Sequence, residues 1–263
     1  MQFIFPSNPL DPNKVDEYFK PQAAVLYDGY PAVFSQEEGK VFRVLVGETV
    51  MYRGWMLTAH GYHQLKALVE RKGAKMFTSV VQYLNTHHIP NWYPLLREFT
   101  AETYIIDNMW LSHGCDLVAE LQKLGWEKFF LKDYVKSLKT AGGSVVTNAE
   151  DALKVVDLMG HYRGELEGGL CVRRFENLSD ERRYFILNGK VWPVTHVRTA
   201  DASILQEIAK RIDSPFFSVD LAYNDVGHVR LVEIGDGQVS DLVGWTTRAF
   251  SHMFRHGAYV LTA

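Results

Sequence analysis

The sequence holds only two cysteines, Cys115 and Cys171, and nine prolines, and its charge leans to neither sign, with 28 Lys and Arg against 31 Asp and Glu. Two isolated cysteines build neither a disulfide framework nor a paired zinc motif. A formal net charge of −3 excludes a broad attraction to phosphate backbones or anionic membranes, so any nucleic-acid contact has to be local. No run approaches the roughly 18 uninterrupted apolar residues of a membrane span. The start Met1-Gln2-Phe3-Ile4-Phe5-Pro6 shows no basic n-region and no long apolar core of a signal peptide. These absences give the expectation of a cytoplasmic protein with neither a membrane nor a nucleic acid as partner. What is present, 47% hydrophobic and 13% aromatic residues with modest Gly and Pro, excludes disordered and collagen-like classes. At roughly 150 residues per domain the length suits two domains or two lobes.

Changes in hydrophobic period mark the organisation. Residues 1–105 alternate short apolar runs (Gln2–Phe5, Ala23–Tyr27, Val41–Val46, Val50–Leu57) with one helical stretch, Thr58–Lys72, closed by Gly73, which predicts a small α/β lobe. The spacing Leu117, Val118, Leu121, Leu124 predicts a helix ended by Gly125, followed by a strand at Lys128–Lys132. A Lys-, Ser- and Gly-rich stretch then leads to Val145-Val146 and a helix over 149–162, capped by Thr147 with Glu150 or by Asn148 with Asp151. Strands are expected at Leu170–Phe175, Arg183–Leu187, Lys190–Val197, Phe216–Ala222 and His228–Ile234, with turns at Asn188-Gly189 and Asn224-Asp225. Helices at about 201–213 and 241–255 complete a mostly antiparallel second half, so the expected class is α+β.

Three groups of residues carry chemistry. Lys132 ends a strand, and Lys136, Ser137, Lys139 and Gly142-Gly143 follow. A fixed lysine with a Gly/Ser loop suits phosphate oxygens, although the Walker A spacing is absent and a solvated basic hairpin has the same composition. Asp220 lies on one predicted strand, with Glu233 and Asp236 at the end of the next. Carboxylates brought together favour a hard cation such as Mg²⁺ carrying nucleotide phosphates, against the alternative of polar alternation on an exposed sheet. Flanking glycines in Gly235-Asp236-Gly237 suit a carboxylate close to a ligand. Arg173, Arg174, Arg183 and Arg198 are fixed guanidinium groups that can fork onto phosphate or carboxylate. Salt bridges to Glu176, Asp180, Glu181 and Asp201 are the competing account.

The order of these parts, a strand lysine, a glycine loop, a helix, a strand into Glu181-Arg182-Arg183, a later arginine, then Asp220 and Glu233, resembles the ATP-grasp superfamily over roughly residues 95–255. Phe129–Ser137 and Val232–Ser240 are similar to small ATP-grasp proteins common in bacteria and phages. The resemblance implies two α+β lobes with largely antiparallel sheets closing on ATP, about 106–170 and 171–263, preceded by a pre-ATP-grasp-like lobe over 1–105. It places Lys132 on the α and β phosphates and residues 136–144, Lys136 and Ser137 included, in the flap. It makes Cys171-Val172-Arg173-Arg174-Phe175 the hinge strand whose backbone meets the adenine edge, and sets Glu181 near the ribose. Arg183 and Arg198 then face the γ-phosphate and the acyl phosphate, and Asp220 and Glu233 hold magnesium. Two departures stand out: arginine occupies the hinge where glutamate is common, and the usual Glu-x-Asn ending reads Glu233-Ile234-Gly235-Asp236, so that Asp236 takes the third metal position from one residue further on.

The implied function is an ATP- and Mg²⁺-dependent ligase joining a carboxylate to an amine, small molecule or peptide, through an acyl phosphate. The alternatives are a nucleotide-binding module without ligase activity, acting as sensor or assembly partner, and a kinase on the same fold. Tyr52-Arg53-Gly54-Trp55-Met56-Leu57 offers an arginine between aromatics that could line a substrate pocket, with core packing as the competing account. His60 with His63, and His87-His88, lack the spacing of a metal site. Arg97 is a candidate second phosphate contact, and Asn91-Trp92-Tyr93-Pro94 a candidate base-stacking segment without a basic track. Leu242, Val243, Trp245, Ala249 and Phe250 form a stripe that can pack on its own lobe or on a second subunit, which leaves a homodimer open.

Overall fold

The computed structural model describes residues 1–26, 31–108, 116–135, 144–163 and 168–257. These form two compact units: residues 1–86 with 182–220 and 234–263, and residues 87–181 with 221–233. The class is α+β, as expected.

In the first unit, strands β1 (Gln2–Asn8), β2 (Asp11–Val15), β3 (Ala32–Ser35), β4 (Lys40–Phe42), β5 (Thr49–Tyr52) and β6 (Lys75–Met76) form a sheet of order β4-β3-β1-β5-β6, with β2 on β1. β1 runs parallel to β3 and β5, and β5 parallel to β6, while β2 and β4 are antiparallel additions. The continuous apolar run Phe3-Ile4-Phe5 follows from this position, because a central parallel strand is covered on both faces. Successive side chains alternate: Phe3 and Phe5 enter a core with Phe19, Met51, Phe216 and Phe250, whereas Ile4 joins Tyr52, Tyr62 and Leu65.

The run Ala23–Tyr27 belongs up to Leu26 to a helix, α1 (Lys20–Leu26), because so few apolar residues fit either period. Helix α2 (Ala59–Arg71) agrees with its end signals: Thr58 Oγ1 accepts from the Gly61 amide at 3.1 Å, and Gly73 follows at φ +76°. Helices α3 (Val80–His87) and α4 (Ile89–Leu96) carry no comparable signals, and Pro94 lies inside α4.

In the second unit, β7 (Thr103–Asp107), β8 (Phe129–Asp133), β9 (Val145–Val146) and β10 (Gly169–Arg174) pair antiparallel in the order β7-β10-β8-β9. Helices α5 (Leu117–Lys123) and α6 (Ala149–Arg163) cover one face. Leu117, Leu121, Ala152 and Met159 pack there on Phe129, Leu131, Leu170 and Val172. Of the two capping options for α6, Asn148 is used: its Oδ1 accepts from the Asp151 amide at 2.8 Å.

A third sheet has the order β12-β11-β13-β14, from β11 (Leu178–Leu187), β12 (Lys190–Trp192), β13 (Phe216–Asn224) and β14 (Val229–Asp236). β11 starts earlier than the alternation suggested, and β12 stops at Trp192 rather than Val197. Helix α7 (Thr199–Arg211) precedes β13, and α8 (Thr247–Gly257) closes the chain six residues later than its apolar pattern begins. The stripe from Leu242 to Phe250 turns inward: Trp245 and Phe250 are buried against Phe185 and Phe216, and Val243 alone stays exposed. Among the described residues no helix is long and apolar enough to cross a membrane.

Candidate functional site

Strand alternation places the first cluster. Phe129 and Leu131 face the helices of the second unit, so Lys132 faces the other side of the sheet. The same rule sends Leu170 and Val172 to the helices and leaves Cys171 and Arg173 on the side of Lys132, whose register partner is Cys171. On this face the Lys132 ammonium, 3% exposed, lies 3.2 Å from Glu233 Oε1, whose side chain is 39% exposed. A buried ammonium needs anionic partners, and Glu233 supplies one while keeping oxygen directed to solvent.

Arg173 behaves differently from its expected role. Its buried guanidinium donates to the Val232 carbonyl at 2.8 Å and to Thr100 Oγ1 at 2.5 Å, bracing β10 within its unit, and burial lowers its pKa. The hinge backbone is likewise engaged. β10 is paired on both sides, and the amides of Arg174 and Phe175 donate to the carbonyls of Glu102 and Lys128. Arg174 is exposed, 3.8 Å from Glu102, and the Lys128 ammonium lies 5.4 Å from the centre of the Phe175 ring. Glu176 pairs with Arg230 in a fork at 2.8 and 2.9 Å, not with either hinge arginine. Burial pushes the Cys171 thiol up to about 12, which makes it an inert core residue. Glu181 is exposed on β11. Lys136 and Ser137, with the rest of the expected flap from Lys139 to Gly143, lie outside the described residues.

In the first unit, Arg183 grips Asp220 with two parallel bonds, Nε to Oδ1 at 2.8 Å and Nη2 to Oδ2 at 2.5 Å. The side chains are 16% and 5% exposed. Arg183 also donates to the Asp241 carbonyl at 2.8 Å. Arg198 forms a second knot: its Nε donates to Asp201 Oδ2 at 2.6 Å, and the same oxygen accepts from Tyr184 Oη at 2.5 Å. Asp201, fully buried in the first turn of α7, profits from the helix N-terminus. This is the salt-bridge account of Arg198, realised.

Asp236 is built into the core. Its Oδ1 accepts from the Gln238 amide and side-chain nitrogen, both at 3.0 Å, and its Oδ2 from Thr86 Oγ1 at 3.3 Å. Gln238 links it to Tyr62, which stacks on Tyr83 with centroids 4.1 Å apart. Full burial raises the Asp236 pKa to about 7. Glu233 and Asp236 are three residues apart, which a period of two sends to opposite faces, and the same-face position after Glu233 is Gly235. The flanking glycine has a packing cause: a Cβ on Gly237 would meet the Phe216 ring at 2.6 Å. Asp236 is therefore a buried structural carboxylate, not an open metal ligand.

Among the described residues no group of three or more His, Cys, Asp and Glu gathers to hold a metal. His60 and His63 are exposed on α2. Trp92 is fully buried and Tyr93 Oη accepts from the Thr103 amide, so that segment is not a stacking platform. Arg97 caps the C-terminal end of α4, exposed. The residues that sequence reasoning gave no role, Asp201, Tyr184 and Thr86, announce themselves only through their partners in space.

No curated protein matches this sequence. Among solved structures, D-cycloserine synthetase DcsG is similar at 13% identity, over 96% of this chain and 98% of that one, with a TM-score of 0.65. D-alanyl-alanine synthetase A from Vibrio cholerae gives 10% identity, 99% and 94% coverage and 0.62. The ATP-grasp ligase PsnB, solved with a precursor peptide and AMPPNP, gives 11%, 96% and 95%, and 0.58. At such identities these likenesses establish the fold. Residues 64–254 match the profile of an ATP-grasp domain, the third family of its clade. The chain belongs to the ATP-grasp family.

Proposed function

We propose that this chain is an ATP- and Mg²⁺-dependent ligase that joins a carboxylate to an amine through an acyl phosphate. The observation that carries the reading is the contact of Lys132 with Glu233: a buried ammonium and a half-exposed carboxylate on one face of one sheet. Glu233 and Asp220 are hard oxygen donors of the kind Mg²⁺ takes, and one or two carboxylates suffice where phosphates and waters complete the shell. When bound, the metal neutralises charge on the phosphates.

Lys132, with Lys136 and Ser137, would hold the phosphates. Arg174 and Phe175 would lie toward the base, and Glu181 toward the ribose. A substrate carboxylate oxygen attacks the γ-phosphorus and the bond to ADP breaks. The lone pair of the amine then attacks the acyl carbon, inorganic phosphate leaves, and the nitrogen gives up a proton. Lys132, Arg183 and Arg198 would offset the charge of the transferring phosphoryl group, where catalysis of this type arises. In domain terms the reading is a pre-ATP-grasp lobe over 1–105 and an ATP-grasp domain over 106–263. It is supported by a first sheet confined to residues 2–76, a second to 103–174 and a third to 178–236.

Hydroxylamine trapping tests it. With ATP, Mg²⁺ and a panel of amino acids and peptides, a hydroxamate and ADP should accumulate together. ADP without hydroxamate, on addition of hydroxyl compounds, would indicate a kinase. Neither product would favour the non-catalytic module, which the Arg183 grip on Asp220 and the inward turn of Asp236 support.

A further inference from the structure

The aromatic segment at the end of β5 has a place that the nucleotide reading leaves unused. Arg53 turns into the core, where its guanidinium bonds Gln22 Oε1 at 2.7 Å and the Gln238 carbonyl at 2.9 Å over the Phe250 ring, and burial lowers its pKa to about 10. Its neighbours Tyr52 and Trp55 line a cavity of about 470 Å³ in the first unit. This volume falls in the range of small-molecule sites, roughly 300–1,000 Å³. The cavity lies where β1, β3 and β5 end. All three run parallel, and the carboxyl ends of parallel strands are where α/β sheets hold ligands.

Its chemistry is one-sided. Phe34, Tyr52 and Trp55 supply aromatic wall, while Asp16, Glu37 and Glu38 supply carboxylate, and among the described residues no Lys, Arg or His lines it. Asp16 is held in place: Oδ1 accepts from the Tyr18 amide at 2.8 Å and Oδ2 from Trp55 Nε1 at 3.3 Å. Trp55 is itself fixed between Tyr18 and Phe19, with centroids 4.8 and 4.9 Å away, yet remains 47% exposed. A fixed carboxylate tied to an aromatic ring, with two more carboxylates on the same wall, attracts a cation with an apolar body by charge and by ring quadrupole together.

We infer that this cavity binds a small organic ammonium compound, a diamine or a similarly basic amine. An ammonium held by carboxylates has no lone pair, so the group recognised here is an address and not an attacking nitrogen. The inference stands on the cavity and not on nucleotide chemistry.

Calorimetric titration of the full chain with 1,4-diaminobutane, n-butylamine and 1,4-butanediol tests it, without nucleotide. The expected order is diamine, then monoamine, with no binding of the diol, and with affinity falling as salt rises. Glu37→Gln combined with Glu38→Gln, both exposed and so harmless to the fold, should weaken the diamine about tenfold. Trp55→Ala should weaken it severalfold, with unchanged circular dichroism. No diamine binding to the parent chain, equal binding of diol and diamine, or unaltered affinity in the double variant would each overturn the assignment.

Discussion

The Lys132–Glu233 pair of the second unit and the Arg183–Asp220 pair of the first are both cation–carboxylate contacts, yet they are built to opposite ends. In the former the cation is buried and the carboxylate half in water. In the latter both are nearly covered and joined by two bonds. An anion arriving at the first pair meets a charge already desolvated, beside a carboxylate with oxygen to spare. At the second it has to break a fork whose geometry is complete. Burial of one partner favours a ligand, and burial of both favours the fold.

Stability measurements sharpen that contrast. Asp220→Ala leaves Arg183 without its carboxylate and should lower the unfolding free energy by about 2–4 kcal/mol in urea denaturation. Lys132→Met and Glu233→Gln should each change it by under about 1 kcal/mol, because an apolar chain suits the buried end and water suits the other. A loss as large in Lys132→Met as in Asp220→Ala would erase the distinction.

Next in size is Asp201→Asn. It weakens the charge-assisted bonds from Arg198 and Tyr184 and should cost about 1–3 kcal/mol. Unchanged thermal unfolding would show that the knot contributes nothing.

The smallest effect is pH-dependent and belongs to Asp236. Its folded pKa is raised from the usual 3.8 to about 7, so its contribution to stability is complete below 3.8 and is lost as pH rises through about 7. Asp236→Asn keeps the acceptor for Gln238, while Thr86 Oγ1 can donate instead to the Gln82 and Tyr83 carbonyls, each 3.2 Å away. The variant should flatten the stability profile between pH 4 and 7 and be about 1–2 kcal/mol more stable than the parent at pH 8. A profile as steep as that of the parent would assign the pH dependence to other groups.

Much of this architecture was legible where a signal is local. Thr58 and Gly73 bounded α2, Asn148 opened α6, and Asn188-Gly189 joined β11 to β12. Helices α3 and α4 were not, since Pro94 interrupts one and neither has a capping residue to announce it. Within the site, residue types and order identified Lys132, Asp220 and Glu233. Their partners could not be read, because Arg183 and Asp220 are 37 positions apart and pairing at that range is decided by sheet order. Asp236 was misplaced by counting along the chain. The period of two, applied to Glu233, separates them, and the glycine taken as room for a ligand is room for Phe216.

The account's central claim is that Lys132 and Glu233 form the contact for magnesium nucleotide. Titration calorimetry of ATP into the parent chain, Lys132→Met and Glu233→Gln, each with and without Mg²⁺, tests it most directly. The account predicts Mg²⁺-dependent binding to the parent, about 100-fold weaker in Lys132→Met, and loss of the Mg²⁺ dependence in Glu233→Gln. Equal affinities in all three proteins, or binding indifferent to the metal in the parent, would contradict it.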